Sequence, residues 1–255
     1  MLPRLLALSL LCIAFLAVSC DPEPDPIQVL SDPGCEGTNP LSCLLPWPSS
    51  RWLEEDSGTG TGLRLQYEAG ALPANMQGEP FDVEPYSFRD GFSPASSILT
   101  VFVADVDVAA SAGLATEGSW ELSLAPDSPT VIVDLQTGER VAHFAEVDAR
   151  AHEDETGFQM VPDKALFYLR PAARLEEDRS YGVAIRDLAL VDGSQAEAFD
   201  AFAALRDAQI TTSPGIEERR EDYEAMFAVF EQAGIDRASL TQAWRFHTAS
   251  GSNLR

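Results

Sequence analysis

The most regular alternation of apolar and polar positions falls in residues 165–194. Phe167 and Leu169 alternate with Leu166, Tyr168 and Arg170; after a polar corner, Tyr181, Val183 and Ile185 alternate with Gly182, Ala184 and Arg186. A period of two residues predicts two strands, each with one face toward a core. Asp192-Gly193 then closes the second strand with a turn signal. Upstream, 98–103 is a β-branched run bounded by turns and predicts a core strand, and 63–67 predicts a short alternating one. Residues 131–135 and 140–147 flank Gln136-Thr137-Gly138-Glu139, which predicts a hairpin with glycine where positive φ is wanted. Two segments change to helical spacing. In 196–206 the apolar positions are Phe199, Phe202 and Ala203; between Pro214 and Gly234 they are Tyr223, Met226, Phe227, Phe230 and Ala233. Ser213-Pro214 suits the start of the longer helix and Gly234 its end. Glu217, Glu218, Glu221 and Glu224 sit in early turns, where the helix dipole favours anions. Its aromatic–methionine stripe reads as core packing, not as a cofactor box. A last strand, 243–248, sets Trp244 and Phe246 against Arg245 and His247.

The corner between the two central strands runs Leu175-Glu176-Glu177-Asp178-Arg179-Ser180-Tyr181. A leucine followed six residues later by a strand-opening tyrosine resembles the turn by which Ig-like and fibronectin-like sandwiches cross between sheets. There the ring is buried and its hydroxyl bonds to the corner backbone. The expected fold class is mainly β: an Ig-like or fibronectin-like β-sandwich with one or two helices inserted before the last strand. It should occupy residues 41–250, with 251–255 starting a linker.

The N-terminus carries a different pattern. One positive charge, Arg4, precedes an apolar run from Leu5 to Val18 and then Ser19-Cys20. The run is shorter than the roughly 20 apolar residues of a spanning helix, so 1–19 reads as a secretion signal. Leu16-Ala17-Val18-Ser19-Cys20 resembles a bacterial lipobox with its leucine one place early, which implies lipidation of Cys20. The alternative is an ordinary secretory signal with a stray cysteine. Asp21-Pro22-Glu23-Pro24-Asp25-Pro26 cannot form a helix or a ladder, and it opens an extended acidic tether over 20–40. The expected location is the bacterial cell envelope, with the membrane reached through the lipid anchor. In an oxidising compartment Cys35 and Cys43 should form a disulfide. A metal pair is the weaker reading, because no CxxC or neighbouring histidine completes a tetrahedral set.

A formal net charge of −24 makes nucleic acid a poor partner, since phosphate backbones repel such a chain. Candidate chemistry is sparse. Gly58-Thr59-Gly60-Thr61-Gly62 precedes a strand instead of joining strand to helix, so a flexible turn is favoured over a phosphate loop. The nearest approach to a nucleophile elbow is Gly91-Phe92-Ser93-Pro94-Ala95. Pro94 has no N–H to give to an oxyanion hole, so catalysis at Ser93 is not expected. His143, His152 and His247 have no metal-ligand spacing. Asp105 and Asp107, and the acidic residues after His152, read as solvated surface and not as a calcium loop. No catalytic residue, metal or cofactor is expected.

Five features occur in one order: Leu45-Pro46-Trp47-Pro48-Ser49, Asp90-Gly91-Phe92-Ser93-Pro94, Thr137-Gly138-Glu139, Leu169-Arg170-Pro171 with Tyr181, and Ala233-Gly234-Ile235-Asp236 before Ala243-Trp244. Together they resemble the N-terminal Ig-like domain of bacterial lipoprotein hydrolases of the virulence-factor lipase kind. The resemblance implies a non-catalytic module, or a truncated form, of an exported lipase- or esterase-like protein whose hydrolase domain would follow. Against it stands a surface module that binds a glycan or protein through its sandwich loops. A stand-alone esterase is disfavoured by Pro94.

Overall fold

The computed structural model of the chain describes residues 25–29, 31–68, 70–72, 74–75, 77–148 and 164–254. The expected secretion signal over 1–19, Cys20 and His152 lie outside the described residues. The molecule is mainly β. Strands β1 (Leu53–Glu55) and β2 (Leu63–Leu65) form an antiparallel pair. Strands β3 (Ile98–Thr100), β4 (Thr130–Asp134), β5 (His143–Val147), β6 (Phe167–Pro171), β7 (Ser180–Ile185) and β8 (Gln242–His247) make two three-stranded antiparallel sheets. Their orders are β3-β6-β5 and β4-β7-β8. Helices α1 (Asp200–Arg206), α2 (Pro214–Glu217) and α3 (Arg220–Gln232) lie between β7 and β8 in the chain.

The two three-stranded sheets share a core. Ile98, Ala145, Phe167 and Leu169 from one meet Ile132, Tyr181, Val183, Ile185, Trp244 and Phe246 from the other. The first sheet buries alternate positions, as its sequence predicts. The second is buried almost throughout, because α1 and α3 cover its other face. On that face Val131, Val133, Ala184 and Ala243 pack with Phe202, Tyr223, Phe227 and Phe230. Gly182 admits the helix there: a Cβ would lie 2.6 Å from the Phe230 ring. This double coverage explains why β8 buries its second face too. Arg245, set opposite Trp244 and Phe246 in the alternation, pairs with Asp222 on α3.

Four element expectations need correction. The strand predicted over 98–103 stops at Thr100, where Asn39 Nδ2 takes the Val101 carbonyl at 2.9 Å. The Gln136-Thr137-Gly138-Glu139 turn forms, yet the hairpin lasts one bridge, Val133–Arg140, before the chain crosses sheets. His143 marks that crossing. Its backbone belongs to β5, while its Nε2 lies 3.0 Å from Thr130 Oγ1 on β4. The helix predicted over 196–206 begins at Asp200, because the Ala196 N–H is held by the Leu188 carbonyl at 2.8 Å. On it Ala201, Phe202, Ala204 and Leu205 are buried, and Ala203 only half so. The long helix is split by a tightened turn, in which the Arg219 N–H donates to the Ile216 carbonyl. Its end follows expectation: Gly234 adopts φ 75°, the Gly234 N–H donates to Glu231 and the Ile235 N–H to Phe230.

The stretch 27–40, expected as the end of an extended tether, is tied to the body. The Ile27 N–H donates to the Ile210 carbonyl at 2.9 Å, and the Thr212 N–H returns to Ile27 at 3.0 Å. Cys35 and Cys43 form a disulfide with S–S 2.06 Å. Its loop carries Glu36, which is buried and paired with Arg219 at 2.5 Å. Thr38 Oγ1 and Ser49 Oγ also donate to that carboxylate, and Arg219 lies 5.3 Å from the Tyr223 ring centre. Satisfied on all sides, this ion pair fastens the disulfide loop to α3.

Candidate functional site

The corner is a structural hub. Tyr181 is buried, stacks on Phe246 with ring centres 5.6 Å apart, and accepts the Glu176 N–H on its hydroxyl at 2.9 Å. Burial pushes its phenol pKa up. Leu175 is buried, and its N–H donates to the Pro94 carbonyl at 2.9 Å. The chain passes here from one three-stranded sheet to the other, and Thr248 Oγ1 closes the corner by donating to the Glu176 carbonyl at 2.7 Å.

Beside it lies a hydrogen-bonded serine, histidine and aspartate that sequence reasoning did not pick out. Ser180 Oγ is 2.9 Å from His247 Nδ1, and His247 Nε2 is 3.1 Å from Asp178 Oδ1. Burial lowers the imidazole pKa, against the opposing pull of Asp178. A neutral ring could accept the serine proton at Nδ1. Ser180 and His247 are, however, directly paired residues of β7 and β8, which gives their bond a structural role across the ladder. Spacing offers no signal for this trio, since 67 positions separate the serine and the histidine.

Ser93 is exposed, and its Oγ accepts the Ala95 N–H at 3.2 Å in a local turn. His143 is fully buried and bonded to Val141 and Thr130, and burial drives its pKa down to about 4. Asp107 accepts the N–H groups of Ala109 and Ala110, and Asp105 that of Ala165. Among the described residues no group of three metal-ligating side chains converges.

What Ser93 does border is an aromatic cleft of about 440 Å³. Its floor is Trp47, Tyr67 and Phe92; its rim is Phe81 and Tyr86. Trp47 stands edge-on to Phe92 at 4.9 Å and stacks on Tyr67 at 6.0 Å. The floor is held from below. Trp47 exchanges two backbone hydrogen bonds with Leu99, and the Pro48 carbonyl accepts Trp244 Nε1 at 2.9 Å. Gly91 permits the turn to approach β8, since a Cβ would lie 2.6 Å from the Ala249 nitrogen. Phe81 and Tyr86 stack on each other at 5.7 Å yet remain 52% and 46% exposed. The glycine-rich loop 58–62 closes the β1–β2 hairpin, and Thr61 Oγ1 donates to the Asp90 carbonyl at 2.6 Å. That is a structural turn. An apolar concavity with a few polar groups at its mouth is the usual form of a small-molecule site.

Comparison of the chain with protein-family models, with curated proteins and with solved structures found no match.

Proposed function

We propose that this chain is a binding module: a non-catalytic, Ig-like β-sandwich of an exported, lipid-anchored protein, whose aromatic cleft takes a small apolar ligand. The observation that carries the reading is the cleft, where two large aromatic side chains stay half in solvent over a well-packed aromatic floor. Two facing sheets joined through the Tyr181 corner support the Ig-like assignment. Ser19-Cys20 and the proline-rich acidic tether support the anchor.

A second reading makes the chain the N-terminal module of a lipase-type lipoprotein, with the cleft turned toward a hydrolase domain. What favours it is that two of the resembling segments, at Trp47 and at Gly91-Phe92-Ser93, both line the cleft. Titration with small apolar and aromatic compounds, read by tryptophan fluorescence, tests the binding reading. Saturable binding should weaken at least about tenfold in Phe81→Ser with Tyr86→Ser, while the melting temperature holds. Binding that ignores both substitutions would remove the cleft from the account.

A further inference from the structure

Among the described residues that line the cleft, one is charged, Arg89. Among the described residues, every other arginine places its guanidinium on a carboxylate or carbonyl oxygen. Arg89 meets only the face of Phe88, 5.3 Å from the ring centre. Acidic residues outnumber basic ones 41 to 17, so a half-buried arginine whose guanidinium meets no carboxylate stands apart from the rest. A guanidinium fork matches a carboxylate bidentately, and such bonds are strongest where water is partly excluded. The surrounding charge of −24 disfavours polyanions and leaves room for a single negative group delivered with an apolar body.

We propose that the cleft is a site for apolar monocarboxylates, with the carboxylate on Arg89 and the acyl or aryl chain between Trp47, Tyr67, Phe81 and Tyr86. This rests on the binding reading above and specifies its ligand. The aromatic floor supplies the contact area, and Arg89 supplies orientation and discrimination. Neutral ligands of the same shape fill the cleft but leave the guanidinium unpaired. Dicarboxylates must bury a second charge among aromatic rings and are rejected.

The test is titration of the full chain with decanoate and 4-phenylbutyrate beside the matching alcohols, decanol and 4-phenylbutanol, read by tryptophan fluorescence. The carboxylates should bind about tenfold more tightly than the alcohols, and Arg89→Gln should erase that difference without lowering the melting temperature. The tighter of the two carboxylates distinguishes an acyl from an aryl ligand. Equal binding of acid and alcohol, indifferent to Arg89→Gln but lost in Phe81→Ser with Tyr86→Ser, overturns the carboxylate assignment and keeps the cleft. No binding of any of the four compounds overturns both.

Discussion

Two aromatic clusters in this molecule have similar composition and opposite fates. Phe202 on α1 and Tyr223, Phe227 and Phe230 on α3 pack edge to face or tilted at 5.8–6.5 Å against the sheet and are fully sealed. Trp47 packs on Tyr67 and Phe92 at 4.9–6.0 Å, and the cleft that they line with the stacked pair Phe81 and Tyr86 opens to solvent. The first sits where a regular helix meets a sheet that exposes small side chains, Gly182, Ala184 and Ala243. Complementary shapes close that interface completely. The second is built from the proline-punctuated segment around Trp47 and from turns and a single 3-10 turn within 81–93, and among the described residues no α-helix or strand covers Phe81 and Tyr86. Aromatic content alone therefore does not distinguish a core from a site; the closure does.

The comparison breaks most severely where the sealed side is fastened. Arg219→Ala leaves the Glu36 carboxylate buried without its cation and should cost about 3–5 kcal/mol in urea denaturation. A loss below about 1 kcal/mol would show that the pair does not hold the disulfide loop to α3.

The stripe behind this pair was legible in the sequence, because residues 223, 226, 227 and 230 repeat with a helical period that survives any tertiary context. The two central strands were legible for the same reason, with a period of two. The Glu36–Arg219 pair was not: 183 positions separate its members, and no local pattern announces which of many acids is buried. Nor was the double burial of β4-β7-β8, since Gly182 and Ala184 look like a weak polar face until α3 lies over them. The cleft was illegible because most of its walls, Tyr67 and Leu65 apart, have no periodicity. Trp47 lies in a proline-punctuated segment, and Phe81 and Tyr86 come from a segment that carried no reading at all.

The seam between the sheets gives the next largest effect, and it depends on pH. His143 has a folded pKa of about 4, below the ordinary 6.5, because burial disfavours the charged ring. Between these values the unfolded chain binds the proton more readily than the folded one. Stability is therefore full above pH 6.5 and falls toward pH 4, by about 3 kcal/mol in total. His247, also lowered, acts in the same direction. Urea midpoints at pH 7.5 and 4.5 should show most of this slope disappearing in His143→Gln; an unchanged slope would assign it elsewhere.

A smaller effect comes from the corner. Tyr181→Phe removes the acceptor of the Glu176 N–H and should cost about 1–2 kcal/mol while leaving the stacking on Phe246. Full stability in Tyr181→Phe would reduce the corner to ring packing. The smallest effect belongs to the open cluster. Phe81→Ser should change stability by no more than about 0.5 kcal/mol, since the ring is largely outside the core. A large loss there would make the cleft a second core and dissolve the contrast.

The contrast is read most directly by fluorine NMR of the chain labelled with 5-fluorotryptophan. Its four tryptophans report on different places. Trp47 floors the cleft, Trp52 and Trp244 are fully buried, and Trp120 is 40% exposed. Titration with 4-phenylbutyrate should shift the Trp47 resonance saturably, identified by its loss in Trp47→Phe, while the Trp120 and Trp244 resonances stay in place. A silent Trp47, or four resonances drifting together without saturation, would contradict a ligand site in the open aromatic cluster.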